Sequence, residues 1–130
     1  MIADVPVGAF LSGGLDSSSL VVFARQYAAG RKLDCFTIGF RDEAAEKEGF
    51  PDDLPYAQRV AAHLDVPLHV IWSGSEMASE FEEMVFQLDE PQPDPAALNA
   101  LQIARLAQKH GVKVLLSGAG GDDLFSGYRR

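Results

Sequence analysis

Apolar residues follow two rhythms along this chain. Short, nearly unbroken runs at 5–11, 33–40, 67–72 and 112–116 alternate with longer stretches in which apolar positions return every three or four residues. The short runs predict strands buried on both faces, and the longer stretches predict amphipathic helices. The first helical stretch puts Leu20, Phe23, Ala24 and Tyr27 on one face and stops at Gly30. The second has Ala57, Val60, Ala61 and Leu64 on its inner face, Asp52 and Asp53 at its start and Pro55 in its first turn. Ser73 and Glu76 match a capping box, which opens a third helix with the stripe Met77, Phe81, Met84, Val85 and Leu88. A fourth carries Ala97, Ala100, Leu101, Ala104 and Ala107 and is closed by Gly111. Residues 41–53 read as a charged loop, and the prolines within 89–95 exclude a helix interior there. Strands separated by helices need crossover connections. The fold class is therefore α/β, a parallel sheet with helices on both faces.

Composition narrows the function classes. A chain of 130 residues, 47% hydrophobic and 23% charged, has the makings of one globular domain with a real core. Its formal net charge of −8 argues against non-specific nucleic-acid binding, which needs basic surface to displace counterions. No apolar run approaches the ~20 residues of a membrane span. No leader pattern is visible, so the expected compartment is cytoplasmic. The single cysteine, Cys35, lies in a predicted strand and reads as a small core residue. His63, His69 and His110 have no metal-ligand spacing; His63 and His110 sit at helix ends, where a cation suits the dipole. Glu80, Glu82 and Glu83 read as a solvated helix side, and Trp72 as core.

Chemistry concentrates at two glycine turns, each placed directly after a strand. The first reads Leu11-Ser12-Gly13-Gly14-Leu15-Asp16-Ser17-Ser18 and opens a helix. Unpaired N–H groups and the positive dipole end of a helix start attract a phosphate, and glycines let the backbone come close to it. Asp16 adds a carboxylate able to hold Mg²⁺ against that phosphate. The plainer alternative is a strand–turn–helix joint in which Ser12 or Asp16 only caps the helix. The second turn reads Ser117-Gly118-Ala119-Gly120-Gly121-Asp122-Asp123. It lacks the third glycine of a dinucleotide fingerprint, since Asp123 stands there, and no Gly-Lys-Ser/Thr follows either turn.

The string from Ser12 to Ser18 resembles the pyrophosphate loop of the N-type ATP pyrophosphatases. With Phe36-Thr37-Ile38-Gly39-Phe40, Leu88-Asp89-Glu90-Pro91 and the second turn through Tyr128, the resemblance covers nearly the whole chain, which is identified as a member of the asparagine synthase-type synthetase domain. The resemblance implies an adenine nucleotide alpha hydrolase-like sheet in the order 3-2-1-4. It implies ATP and Mg²⁺ as cofactors, a small-molecule carboxylate substrate activated as an acyl-adenylate with pyrophosphate release, and amination by ammonia. By the same resemblance Leu11 and Ile38 border the nucleoside, the backbone amides of Ser12, Gly13, Gly14 and Leu15 with the Ser17 and Ser18 hydroxyls hold pyrophosphate, Gly39, Ser117 and Gly118 belong to the ATP site, and Asp16 and Asp122 hold the metal. Asp89, Glu90 and Asp123 are substrate-side candidates, and no residue of this chain is assigned as catalytic.

The family pattern is not matched everywhere. Ala119 stands where asparagine synthetases usually carry Glu, and Asp123 where Glu is common. Ile2 occupies the place of the glutaminase nucleophile, so glutamine hydrolysis is not expected, and ammonia would come from a glutaminase domain absent here. The transition-state lysine of the family is expected beyond Arg130, and Lys113 precedes its strand and cannot replace it. Both ends read as cut, which makes 1–130 part of a synthetase domain. Three functions follow as alternatives. The first is an asparagine synthase-type ligase, the second an amidotransferase acting on a different acid, and the third a nucleotide-binding module without turnover. The oligomeric state is left open by the sequence.

Overall fold

The computed structural model describes residues 2–28, 30–40, 53–74, 79–90, 94 and 96–125. Expectations placed on 41–52, on Glu76 and Met77, on Pro91 and Pro95, and on 126–130 lie outside the described residues. The chain runs β1 (Val7–Phe10), α1 (Leu15–Gln26), β2 (Cys35–Phe40), α2 (Leu54–Leu64), β3 (Leu68–Ser73), α3 (Phe81–Leu88), α4 (Ala96–Lys109), β4 (Val114–Leu116) and α5 (Gly121–Phe125). All pairings are parallel, and the strand order is β3-β2-β1-β4. The order expected from the resemblance is the order found.

Alternate side chains of each strand enter opposite layers, as the pleat requires. Ala9, Leu11 and Cys35 meet Val21 and Ala24 of α1 and Ala57, Ala61 and Leu64 of α2. Phe36 meets Ile103 and Ala107 of α4 and Val112, with Phe10, Ile38, Ile71 and Leu115 around them. Helices therefore cover both faces. Gly8 makes room for this second layer, because a Cβ there would stand 2.9 Å from the Phe36 ring and 2.7 Å from the Asp34 carbonyl oxygen. Cys35 is fully buried, and burial, with the neighbouring Asp34 charge, pushes its thiol up to about 12; it is an inert core group.

Several faces differ from their expected ones. On α1 the core side is Ser17, Val21 and Ala24, while Phe23 and Tyr27 are mostly exposed. Small residues let that helix lie close to the sheet, and the aromatic residues are left outside. Trp72 is 46% exposed rather than core. Ser73 does not open a helix; it pairs with Phe40 as the last residue of β3, and α3 begins at Phe81 with Met84 as its buried residue. On α4 the buried residues are Leu98, Ile103 and Ala107. The predicted stripe Ala97, Ala100, Leu101 and Ala104 instead lines a groove of about 430 Å³ with Met84 and Leu88. Glu80 and Glu83 are not merely solvated: both pair with Arg105 of α4, and Glu80 also accepts from Gln102.

At the amino ends of the strands Asp34 joins two partners. Its Oδ1 lies 2.7 Å from His69 Nε2 and 3.0 Å from Lys32 Nζ. The His69 ring in turn stacks on Phe36 and lies 3.9 Å, centroid to centroid, from His110. Burial raises the Asp34 carboxyl, but the hydrogen bonds and charges of His69 and Lys32 outweigh it and hold the group below the usual carboxylate value. A depressed folded-state value stabilises the fold above the unfolded carboxyl value, and the gain is lost as pH falls through the folded one. Asp34→Asn is therefore expected to lower stability at pH 7 by roughly 0.5 kcal/mol, given the solvent screening of the pair. The gap should close below about pH 4, and urea titrations of both proteins across that range would measure it. A gap that widens in acid would contradict the assignment.

Candidate functional site: two serine–glycine bends over one crevice

Strands β1 and β4 are neighbours in register, with Ala9 opposite Leu116. Both therefore end at the same level, and the two glycine turns emerge side by side beyond their carboxyl ends, where open parallel sheets bind ligands.

The bends share a construction. In the first, the Gly14 N–H donates to Ser12 Oγ at 3.3 Å; in the second, the Ala119 N–H donates to Ser117 Oγ at 3.1 Å. Each serine hydroxyl thus turns the chain by accepting from the amide two residues on. Gly13 (φ +85°) and Gly120 (φ +88°) supply the left-handed backbone. The first bend is braced further. Ser17 Oγ accepts from the Ser12 N–H at 3.3 Å, lies 3.0 Å from Ser12 Oγ and donates to the Gly14 carbonyl at 3.2 Å. The Ser17 hydroxyl is thereby occupied inside the loop. The Ser18 hydroxyl is enclosed, and among the described residues it has no hydrogen-bond partner.

Helix α1 begins at Leu15 with Gly14 as N-cap and without a side-chain capping bond. Its first-turn N–H groups thus keep their affinity for an anion. The second bend lies directly on this turn. A Cβ on Gly118 would stand 2.8 Å from the Ser17 nitrogen, 3.0 Å from the Asp16 carbonyl carbon and 3.1 Å from the Ser17 Cα. A Cβ on Gly121 would fall on the Asp16 carboxylate itself. Asp16 therefore reaches across to Gly121 of the second bend, the residue before Asp122 in the sequence, and both aspartates are half-buried. Among the described residues no ion pair engages either carboxylate.

These two carboxylates fit a magnesium ion. Mg²⁺ takes oxygen ligands, keeps several waters and binds through one or two carboxylates together with substrate phosphates. The described residues contain no cluster of three or more ligand-type side chains.

The other expected residues are placed as follows. Leu11 is in the core, so only its backbone borders the crevice. Ile38 is half-buried in the α4 layer. Gly39 lies under the Trp72 indole, 2.9 Å from where its Cβ would be. Leu15, Ser117 and Asp123 are exposed. Asp89 is the left-handed C-cap of α3, a structural post, and Glu90 follows it in solvent. Among the described residues neither makes a hydrogen bond or ion pair with the two bends. Two participants were not anticipated. Tyr56, at the start of α2, packs on Gly13, and Gly121 underlies Asp16. The doubled glycine ahead of Asp122 was the available signal for the second.

The asparagine synthase family profile matches residues 1–130. The chain belongs to that family. It is 40% identical over 129 residues to asparagine synthetase [glutamine-hydrolyzing] 1 of Bacillus subtilis, an alignment that takes in 98% of this chain and 19% of the relative. Amidase chyE of Penicillium rubens is 34% identical over 139 residues, with 97% of this chain and 20% of the relative covered. The chain thus spans about a fifth of the length of the curated relatives it matches. Among solved structures, the U34-tRNA thiolase NcsA of Methanococcus maripaludis superposes with a TM-score of 0.66 at 16% identity, over 94% of this chain and 41% of the other. The NH3-dependent NAD synthetase of Campylobacter jejuni gives 0.59 at 14% identity, over 97% and 53%. Both share the fold. Among the described residues no helix is long and apolar enough to cross a membrane.

Proposed function

We propose that these residues form the nucleotide-holding part of an ATP-dependent, amide-forming ligase of asparagine synthase type. The observation that carries this reading is the direct seating of the second bend on the first turn of α1, with the Asp16 carboxylate against Gly121. The uncapped helix start, the two glycine bends and the Asp16 carboxylate thereby serve one nucleotide, with Asp122 following Gly121 in the chain. In this reading a substrate carboxylate oxygen attacks the α-phosphorus of ATP, and the bond from that phosphorus to the bridging oxygen breaks. Pyrophosphate leaves onto the α1 amides. Ammonia then attacks the acyl carbon, the bond to AMP breaks, and the amine loses a proton.

The amides of Gly13, Leu15 and Asp16 are the donors for the departing pyrophosphate, the Gly14 amide and the Ser12 hydroxyl being used within the loop. Ser18 joins them by turning its hydroxyl out of its present enclosure. Asp16 and Asp122 hold Mg²⁺, which offsets charge on the phosphate oxygens. The transition-state cation and the ammonia supply belong to parts of the parent enzyme outside these residues, in a cytosolic protein.

Titration of the 130-residue chain with ATP and Mg²⁺ is expected to release binding heat at millimolar nucleotide, and the signal should fall by at least about tenfold in affinity when EDTA replaces the metal. No heat at those concentrations would sink the proposal.

A second reading concerns the acid alone. Ala119 sits exposed on the second bend, with its amide committed to Ser117. Its methyl group can neither bind a cation nor move a proton. An acid other than aspartate is favoured by that residue, and efficient amination of aspartate by the full-length parent would remove this alternative.

A further inference from the structure

The two glycines that bring the bends together meet different kinds of atom. The missing side chain of Gly118 faces main chain, namely the Ser17 nitrogen and Cα and the Asp16 carbonyl carbon at 2.8–3.1 Å. The missing side chain of Gly121 faces, at its three nearest atoms, the end of a side chain, the Cγ and both carboxylate oxygens of Asp16. Main chain inside the first turn of a helix cannot move without breaking its hydrogen bonds. An aspartate side chain can rotate about χ1 at modest cost. Gly120, between them, has open space around its Cβ position and contributes its φ alone.

We propose that Gly121 is a positioning residue for Asp16. The volume left empty at 121 is the seat of the Asp16 carboxylate, and a side chain there evicts the carboxylate from the crevice while the bends stay docked. Gly118, three residues earlier, does the docking. The inference rests on the proposed ATP site for its functional consequence, whereas the seat itself is a property of the free protein.

Asp16 and Asp122 belong to different bends and would grip one ion only if Asp16 stays extended toward the second bend. Of the rotamers open to an aspartate, the one that leaves the crevice loses the metal. A methyl group at 121 selects against the gripping rotamer. The helix start, with its free amides, is untouched, so the metal-independent share of nucleotide binding should survive.

Two cycles test this. In the ligand-free cycle, thermal unfolding is followed for wild type, Gly121→Ala, Asp16→Ala and the double variant. Gly121→Ala is expected to lower Tm by a few degrees on its own and to have no effect in the Asp16→Ala background, where the seat is vacant. Gly118→Ala should lower Tm in both backgrounds, because its obstacle is main chain. In the ligand cycle, calorimetry with ATP is run in Mg²⁺ and in EDTA. Gly121→Ala should lose about tenfold affinity in Mg²⁺ and almost none in EDTA, and should add no loss to Asp16→Ala. Equal Tm losses for Gly121→Ala in both backgrounds would overturn the seat. So would equal affinity losses with and without metal. If wild type itself binds no ATP, the proposed function fails, and the unfolding cycle still decides the seat.

Discussion

Gly13→Ala is expected to be among the most damaging single substitutions at the nucleotide site. Two penalties add at that position. The backbone is left-handed there, at φ +85°, which costs an alanine about 1–2 kcal/mol. The new methyl would also stand 2.5 Å from the Tyr56 carbonyl carbon and Cβ and from the Ala57 nitrogen, in the first turn of α2. Main-chain atoms in a helix cannot yield locally, so loop and helix must separate, at a further ~1–3 kcal/mol. The sum, about 3 kcal/mol, is a large part of the ~5–15 kcal/mol that holds a domain folded. Tm should fall by roughly 10 °C, and ATP affinity in Mg²⁺ by tenfold or more, because the loop cannot keep its amides aimed. Gly14→Ala is the control. Gly14 has φ −67°, and its nearest obstacle is Ser12 Oγ at 3.4 Å, so alanine is tolerated there. Equal melting curves for Gly13→Ala and wild type would show that α2 is not wedged on the loop.

Phe36→Ala is expected to be the most destabilising core change. The ring is fully buried against Ile103, Ala107 and Val112, stacks on His69 with centroids 5.0 Å apart and meets the edge of His110 at 5.9 Å. Gly8 is side-chain-free beneath it, so no neighbour is positioned to refill the space. Deleting a buried aromatic ring costs about 3–5 kcal/mol, the transfer free energy plus the unfilled cavity. Urea unfolding should show a lower midpoint with an unchanged slope. The ring packs in the α4 layer beside Gly8 and His69, on the sheet face opposite α1 and its loop. The folded fraction should therefore bind ATP as wild type does, and a selective loss of affinity at full folding would contradict this separation.

Much of this architecture was legible because it rests on short-range patterning. Strand runs, the Ala57–Ala61–Leu64 face and the Gly111 stop all follow from local periodicity and left-handed caps. The strand order did not follow from periodicity; the resemblance supplied it. Helix faces failed where size outweighed polarity. Ser17 turns inward on α1 because a hydroxyl that bonds within the loop is as small as alanine, and Phe23 turns outward because the helix sits too close to the sheet for a ring. Trp72 covers Gly39 from the surface for a related reason: the glycine leaves a shallow seat at the end of β2. At the site, the residue types were readable but their allegiances were not. Nothing local says that the Ser17 hydroxyl serves Ser12 and Gly14, or that Asp16 leans on Gly121. The first relation is set within residues 12–17 by the geometry of the loop, and the second exists only once the two bends meet.

The pairing of β4 beside β1 therefore has a kinetic corollary. One half of the anion cradle is made with β1, and its complement arrives only with β4, after β2 and β3 have been made. A ligand that needs both halves rewards the closed chain alone, and by mass action it draws the population toward complete folding. Magnesium nucleotide would then act as a latch on the β4 edge, and hydrogen exchange in the three-residue strand Val114–Leu116 would be the place to watch it close.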